Sequence, residues 1–299
     1  MFDNLMRRAF SKDRARLILI SIMVIILFNN YIIQIGIGEE TEATVVYVSS
    51  KGTGEYLTIQ QGIDQANDGD TVFVYNGTYY ENIVIDKTLS LIGEDNTTTF
   101  INGRDVGNVI KINADSVTIK GFTIQHGGLM YPLAGINCSS DHNTISENSI
   151  IFNFYGITLY RSSNNKIIGN IIQNNAHCGI YISQSTHNII ENNTIQNHTY
   201  NGIGMYDSSD NNTIQRNTLR NNKYCGVNIR ISSFNIVREN IFVDNNIGIH
   251  IPSSENTVEA NSFFDNNQDI DEELVTPGYT LIMTVFVVVL ILFWRQIHQ

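Results

Sequence analysis

Positions two and four residues beyond a recurring Gly-Ile or Gly-Val pair carry the side chains best placed for chemistry. Two beyond, they are Asn137, Thr158, Tyr181, Gly204, Asn228 and His250; four beyond, Ser139, Tyr160, Ser183, Tyr206, Arg230 and Pro252. Alternation along a strand puts both sets on one outward face. Tyr160, Tyr181 and Tyr206 then lie on three consecutive repeats of that face, with Arg230, His250 and Asp207 beside them. Aromatic rings flanked by polar groups suit sugar rings, so Tyr160, Tyr181, Tyr206, Arg230 and His250 are the candidate carbohydrate-binding residues. The plainer alternative is an exposed β-face that tolerates tyrosine. Asp207 and Arg230 are the candidates for catalysis, but glycoside hydrolysis needs two positioned carboxylates. Asp207 is the only carboxylate within the strand register; Asp210 falls at a turn, and no repeated Asp pair emerges.

Other chemistries find less support. His126, His142, His177, His187, His198 and His250 fall in different phases of the repeat, and His177 and Cys178, read as strand neighbours, point to opposite faces. No C-x-x-C or H-x-x-x-H spacing occurs, so neither a metal nor a cofactor is expected. Cys178 and Cys225 each precede the marker Gly but stand two repeats apart. At ~4.8 Å per repeat they are about 10 Å apart, outside disulfide reach. Cys138 faces the interior on another repeat, so three free thiols are expected. Six N-x-[ST] sequons, at Asn76, Asn96, Asn137, Asn192, Asn197 and Asn211, are glycosylation candidates on an external domain. Residues 39–278 hold 12 basic and 27 acidic side chains, which repel phosphate backbones and exclude nucleic acid as a partner.

A repeat positions these groups. The pattern N-x-[IV]-x-x-N-x-[ILF] begins at Asn143, Asn165, Asn188, Asn212, Asn235 and Asn256, in steps of 21 to 24 residues. The Gly marker, at Gly135, Gly156, Gly179, Gly202, Gly226 and Gly248, keeps the same period. Stretches such as GITLY and GIYIS alternate with period two, the mark of a half-buried strand, and no run has the longer helical period. Three short strands with their turns use about 23 residues. The predicted fold is therefore all-β, a right-handed parallel β-helix of about 23-residue coils. Ile136, Ile157, Ile180, Ile203, Val227 and Ile249 form one interior column; Cys138, Leu159, Ile182, Met205, Ile229 and Ile251 form the next. The second Asn of each motif, Asn148, Asn170, Asn193, Asn217, Asn240 and Asn261, forms a structural ladder. Asn tolerates the left-handed conformation of a tight turn, and stacked amides hydrogen-bond along the column. In residues 56–93, Thr58 and Gln61 fit a capping box, and Ile59, Ile63 and Ala66 share a face of a capping helix that plugs the core. Phe122 takes the ladder position of the first coil.

Apolar runs flank this domain. Residues 1–16 read as a basic cytoplasmic segment, and 17–38, with LILISIMVIILF, as a signal peptide or an N-terminal transmembrane anchor. Residues 45–270 are the β-helix ectodomain, 271–278 an acidic linker, 279–294 a C-terminal transmembrane anchor and 295–299 a short cytoplasmic tail. The segment YTLIMTVFVVVLILFW rises roughly 24 Å as a helix, and flanking residues complete a bilayer crossing. The placement of Lys and Arg puts both chain ends in the cytoplasm and the domain outside. The expected partners are the membrane, then polysaccharide or other surface proteins.

The opening YLTIQQGIDQANDGDTVFVYNGTYYENIVIDKTLSLIG, then VTIKGFTI, then the N-x-I-x-x-N-x-I coils, resembles the pectate-lyase-like β-helix superfamily. Within it, NosD-type proteins and other carbohydrate-binding and sugar-hydrolysis (CASH) domain proteins are the most similar. The resemblance spans about residues 45–270 and implies the fold. It leaves activity open, because the superfamily holds lyases, hydrolases, esterases and surface proteins. Lyase action there implies a base beside acidic calcium ligands, and Arg230 has no such neighbours. Pro277-Gly278-Tyr279 resembles the Pro-Gly-aromatic junction of archaeal surface-protein anchors. The leading expectation is a membrane-anchored, non-enzymatic surface protein that binds carbohydrate or partner proteins, or builds the envelope. A cell-surface polysaccharide lyase or glycoside hydrolase is the alternative. A NosD-like accessory factor for copper-enzyme maturation is the second.

Overall fold

The computed structural model describes residues 20–21, 23–26, 43–252 and 255–272. The chain divides into two compact units, residues 1–43 and 44–299. In the first, residues 20–21 and 23–26 are helical and exposed. No helix among the described residues is long and apolar enough to cross a membrane. The expected cytoplasmic segment 1–16, most of 17–38, the linker beyond Glu272, the anchor 279–294 and the tail 295–299 lie outside the described residues.

The described part of the second unit is a parallel β-solenoid of about 10 turns with one short helix. Among the described residues three parallel sheets hold ten, nine and nine strands, and each full turn after the first strand gives one strand to each. In one turn these strands are Thr144–Ser146, Ser149–Ile151 and Tyr155–Tyr160. Strands this short are stable only because each is paired on both sides by its neighbours in the stack. The alternating Ile, Val and Leu side chains fill the inside. Ile136, Ile157, Ile180, Ile203, Val227 and Ile249 are successive pairing partners, as their spacing predicts. All six are fully buried.

The corners carry more polar structure than the single expected ladder. The expected Asn ladder is present: Asn193 Oδ1 accepts from both the backbone N and the Nδ2 of Asn170, at 2.9 and 3.0 Å. Asn193 Nδ2 donates to Ile167 O at 2.8 Å and to Asn217 Oδ1 at 2.9 Å. Each amide is thus satisfied by the turns before and after it. Two further Asn columns repeat this design. One runs through Asn143, Asn165, Asn188 and Asn212. The other runs through Asn153, Asn175, Asn222 and Asn245, with His198 in the middle. Ser162, Ser185, Ser209 and Ser232 form a fourth, hydroxyl column. One expectation is corrected. The ladder Asn residues do not adopt the left-handed conformation; the residue before each does, namely Glu147, Gly169, Asn192, Arg216, Glu239 and Ala260. That preceding residue turns the chain while the Asn side chain points inward to be bonded.

The Gly marker answers to the same corners. A Cβ on Gly179 would sit 2.6 Å from His198 Nε2 and 2.7 Å from Gly202 O. The strand starts directly above the corner side chain, and only glycine leaves room.

The helix Ile59–Gln65 covers the first turn. Ile59, Ile63 and Ala66 are buried against the core, as expected. Thr58 accepts from the Gln61 N–H at 3.3 Å, the first half of the capping box. A carboxylate distant in sequence adds to it: Glu81 accepts from Ile59 N at 2.9 Å and Gln60 N at 3.0 Å. Phe122 is buried in the ladder register, its N–H bonded to Asn148 Oδ1 at 3.0 Å. At the far end no comparable cover exists among the described residues, and Val258 and Phe263 stay only partly buried.

Candidate functional site

The eight-residue loop 126–133 joins the second sheet to the third, a task that residues 152–154 perform one turn later. Its extra length places Tyr131 and Pro132 over the outer face of the third sheet, where they line an open groove of about 550 Å³. Lys111, Asn137, Thr158 and Tyr181 are successive register partners on that face. Ser139, Tyr160 and Ser183 flank them, and Asp207 stands at the far end. A hydrogen-bonded chain organises the floor. Ser139 Oγ donates to Asn137 Oδ1 at 3.5 Å, and Asn137 Nδ2 donates to Thr158 Oγ1 at 2.8 Å. Ser183 Oγ donates to Asp207 Oδ2 at 3.1 Å.

Of the expected residues, Tyr160, Tyr181 and Asp207 line the groove. Tyr206 stacks on Tyr181 with centroids 5.2 Å apart. Its ring lies back over Gly204, and its hydroxyl accepts from Asn201 Nδ2 at 2.9 Å. Arg230 is exposed but is not among the groove residues. His250 is not a surface group: it is 4% exposed and its Nδ1 lies 2.8 Å from Asp271 Oδ2. The outward face is covered there by the partner carboxylate of the last turn.

Tyr131 and Tyr155 were not anticipated. Tyr155 occupies the position before the Gly marker and begins a stack, 4.8 Å from Tyr181. Tyr131 meets Tyr155 edge-on at 6.4 Å. A second aromatic row, in the connections just before the third-sheet strands, joins Phe154, His177, Tyr200 and Tyr224 at centroid spacings of 5.2, 4.5 and 5.1 Å, its middle pair tilted by 45°. Burial pushes the phenols of Tyr155, Tyr181 and Tyr206 up, so none offers a phenolate base.

The groove does not assemble a hydrolytic pair. Asp207 is its single carboxylate. Asp210 is occupied as a turn cap, accepting from Ser233 N at 2.7 Å.

Metal-ligating groups are also dispersed. Among the described residues no three His, Cys, Asp or Glu side chains gather as a metal site. His177 and Cys178 sit in a corner loop rather than a strand, so Nδ1 and Sγ meet at 3.2 Å instead of pointing apart. Burial pushes the Cys178 thiol up to about 12, which disfavours the thiolate a metal would need. Cys138, Cys178 and Cys225 are all free and buried, as expected, and Asn201 Oδ1 accepts from Cys225 N in the turn between the last two. Of the sequon residues, Asn76, Asn192 and Asn211 are exposed, while Asn96, Asn137 and Asn197 are partly covered.

Solved structures share this architecture. The A-module of the Azotobacter vinelandii mannuronan C-5 epimerase AlgE6 matches with TM-score 0.55 and 16% identity, over 72% of this chain and 74% of that one. An alginate lyase from Paenibacillus sp. str. FPU-7 matches with TM-score 0.50 and 15% identity, over 75% and 77%. The catalytic domain of a GH87 α-1,3-glucanase, in complex with tetrasaccharides, matches with TM-score 0.60 and 14% identity, over 73% of this chain and 45% of that one. At these identities the likeness carries the fold alone. No curated protein matches the sequence. Residues 63–276 match the profile of NosD, described as a periplasmic copper-binding protein, and the chain thus belongs to the NosD family of the pectate-lyase-like, right-handed parallel β-helix superfamily.

Proposed function

We propose that this chain is a non-enzymatic β-helix protein, held at the membrane by its apolar segments, whose ectodomain binds carbohydrate on the outer side. The observation that carries this reading is the groove: tyrosines and neutral hydrogen-bonding groups beneath an overhanging loop, with one carboxylate. Such a lining suits recognition of hydroxyl-rich ligands. The external location agrees with the periplasmic description of the family. The solved neighbours act on polysaccharides by their titles. A hydrolase reading lacks the second carboxylate, and a lyase reading lacks Arg230 in the groove.

The family description names copper. The donor set here does not fit that ion, since no three ligating side chains converge among the described residues and burial pushes the thiol of the His177–Cys178 pair up to about 12. The purified full-length protein, displayed to a glycan array and dialysed against copper, tests both readings. Glycan binding without stoichiometric copper is expected. Stoichiometric copper without glycan binding would replace this function with a metal-maturation role, and neither would leave an envelope-building one.

A further inference from the structure

Tyr181 stacks on Tyr206 and packs against Tyr155 at a 31° tilt, so these rings are largely used within the protein. Tyr155 is only 3% exposed. Tyr155 and Tyr181 line the groove, while Tyr206, which stacks on Tyr181, is outside its lining. Two tyrosines differ. Tyr131, on the overhanging loop, is 68% exposed and touches Tyr155 only by an edge contact. Tyr160 is 42% exposed and has the Arg161 guanidinium 5.1 Å from its ring centroid. Both line the groove.

The charge of the site is sparse. Lys111 is the one cation of the lining and Asp207 the one anion. Their strands stand four turns apart in the register, about 19 Å at ~4.8 Å per turn. Arg161, beside the groove, spends its Nε on Gln184 at 2.8 Å. A polyanion with a charge on every ring needs cations at matching intervals, and the face between Lys111 and Asp207 supplies only amides, hydroxyls and tyrosines. Residues 39–278 carry 27 acidic and 12 basic side chains, a field that repels such a polymer at long range.

From this, resting on the carbohydrate-binding reading, we infer that the groove takes a neutral glycan chain, with Tyr131 and Tyr160 as the two stacking platforms and the Asn137–Thr158 floor bonding its hydroxyls. The stacked Tyr155–Tyr181–Tyr206 column is the support, and the extra length of loop 126–133 is the specificity element.

The test uses the full-length protein in detergent and measures equilibrium binding at low and high salt. The probes are neutral gluco- and manno-hexaoses of several linkages, and hexamers of polymannuronate and polygalacturonate. A neutral hexaose should bind with an affinity that salt leaves unchanged, at least about tenfold tighter than either hexauronate. Tyr131→Ala and Tyr160→Ala should each weaken that binding by roughly tenfold, while Tyr224→Ala, outside the groove, should not. Both platforms are exposed, and an unchanged far-ultraviolet circular dichroism spectrum shows that each variant is folded. Tighter binding of the hexauronates, weakening with salt, would overturn the neutral assignment and leave the carbohydrate reading standing. Neutral binding indifferent to both platform substitutions would overturn the roles given to Tyr131 and Tyr160. Failure of every probe would remove the carbohydrate reading itself.

Discussion

Asn193 shows what one side chain does in this stack. Its amide accepts twice from Asn170 and donates once to Ile167 and once to Asn217. Alanine would leave the Asn170 backbone N–H without its acceptor and take one donor each from Ile167 O and Asn217 Oδ1 in a buried corner, so Asn193→Ala should cost on the order of 3 kcal/mol. Urea unfolding checks this, and an unchanged midpoint would contradict a buried ladder. His198 occupies an equivalent position one corner on. Its Nδ1 accepts from Asn175 N at 3.3 Å, and its Nε2 faces Ile172 O at 3.1 Å, so the neutral ring with hydrogen on Nε2 fits. Burial lowers its pKa from 6.5 to about 4. The unfolded chain then takes up the proton first, so the folded state loses stability as pH falls from about 6.5 to 4. The loss should approach about 3 kcal/mol. His198→Asn, which restores the column, should abolish that acid dependence in thermal melts between pH 7 and 4. A slope equal to that of the unsubstituted protein would show that other groups cause it. The third column was legible in sequence, since Asn153, Asn175, Asn222 and Asn245 each follow a ladder Asn by five residues. His198 broke the identity but kept the spacing, and so passed for one scattered histidine. The left-handed positions were not legible, because Glu147, Arg216 and Ala260 share no chemistry that marks them.

At the scale of elements, the N-terminal helix illustrates what local sequence can and cannot show. The buried face of Ile59, Ile63 and Ala66 follows from helical spacing, and Thr58 from cap preference. The Glu81 carboxylate comes from beyond the following strands, so no local pattern announces it. It satisfies two N–H groups at the positive end of the helix. Glu81→Ala should therefore destabilise the N-terminal turn by about 1–2 kcal/mol. Hydrogen exchange would show it as faster exchange at Ile59 and Gln60, and unchanged protection there would mean that Thr58 alone suffices. The overhanging loop was hidden for a related reason. The marker repeat begins with Gly135, in the strand Ala134–Cys138 that follows residues 126–133, so the periodicity contained no information about the segment that shapes the groove.

Across the whole domain, regular coils make the scaffold and one departure from them makes the groove. Three parallel sheets and four polar corner columns make a scaffold whose turns nearly repeat. The fold was readable because each interior column recurs with one period. The groove exists where that repetition fails, at one long loop and at the tyrosines that stack beneath it. His250 shows the limit of register alone: its outward phase is right, yet Asp271 of the final turn covers it. On the proposed function, the groove holds a saccharide without cleaving it. The most direct test incubates the full-length protein with an oligosaccharide it retains and follows that ligand by mass spectrometry. Recovery of the ligand at its original mass, with both the unsubstituted protein and Asp207→Asn, is expected. A shortened or unsaturated product that forms with the unsubstituted protein and disappears with Asp207→Asn would contradict it.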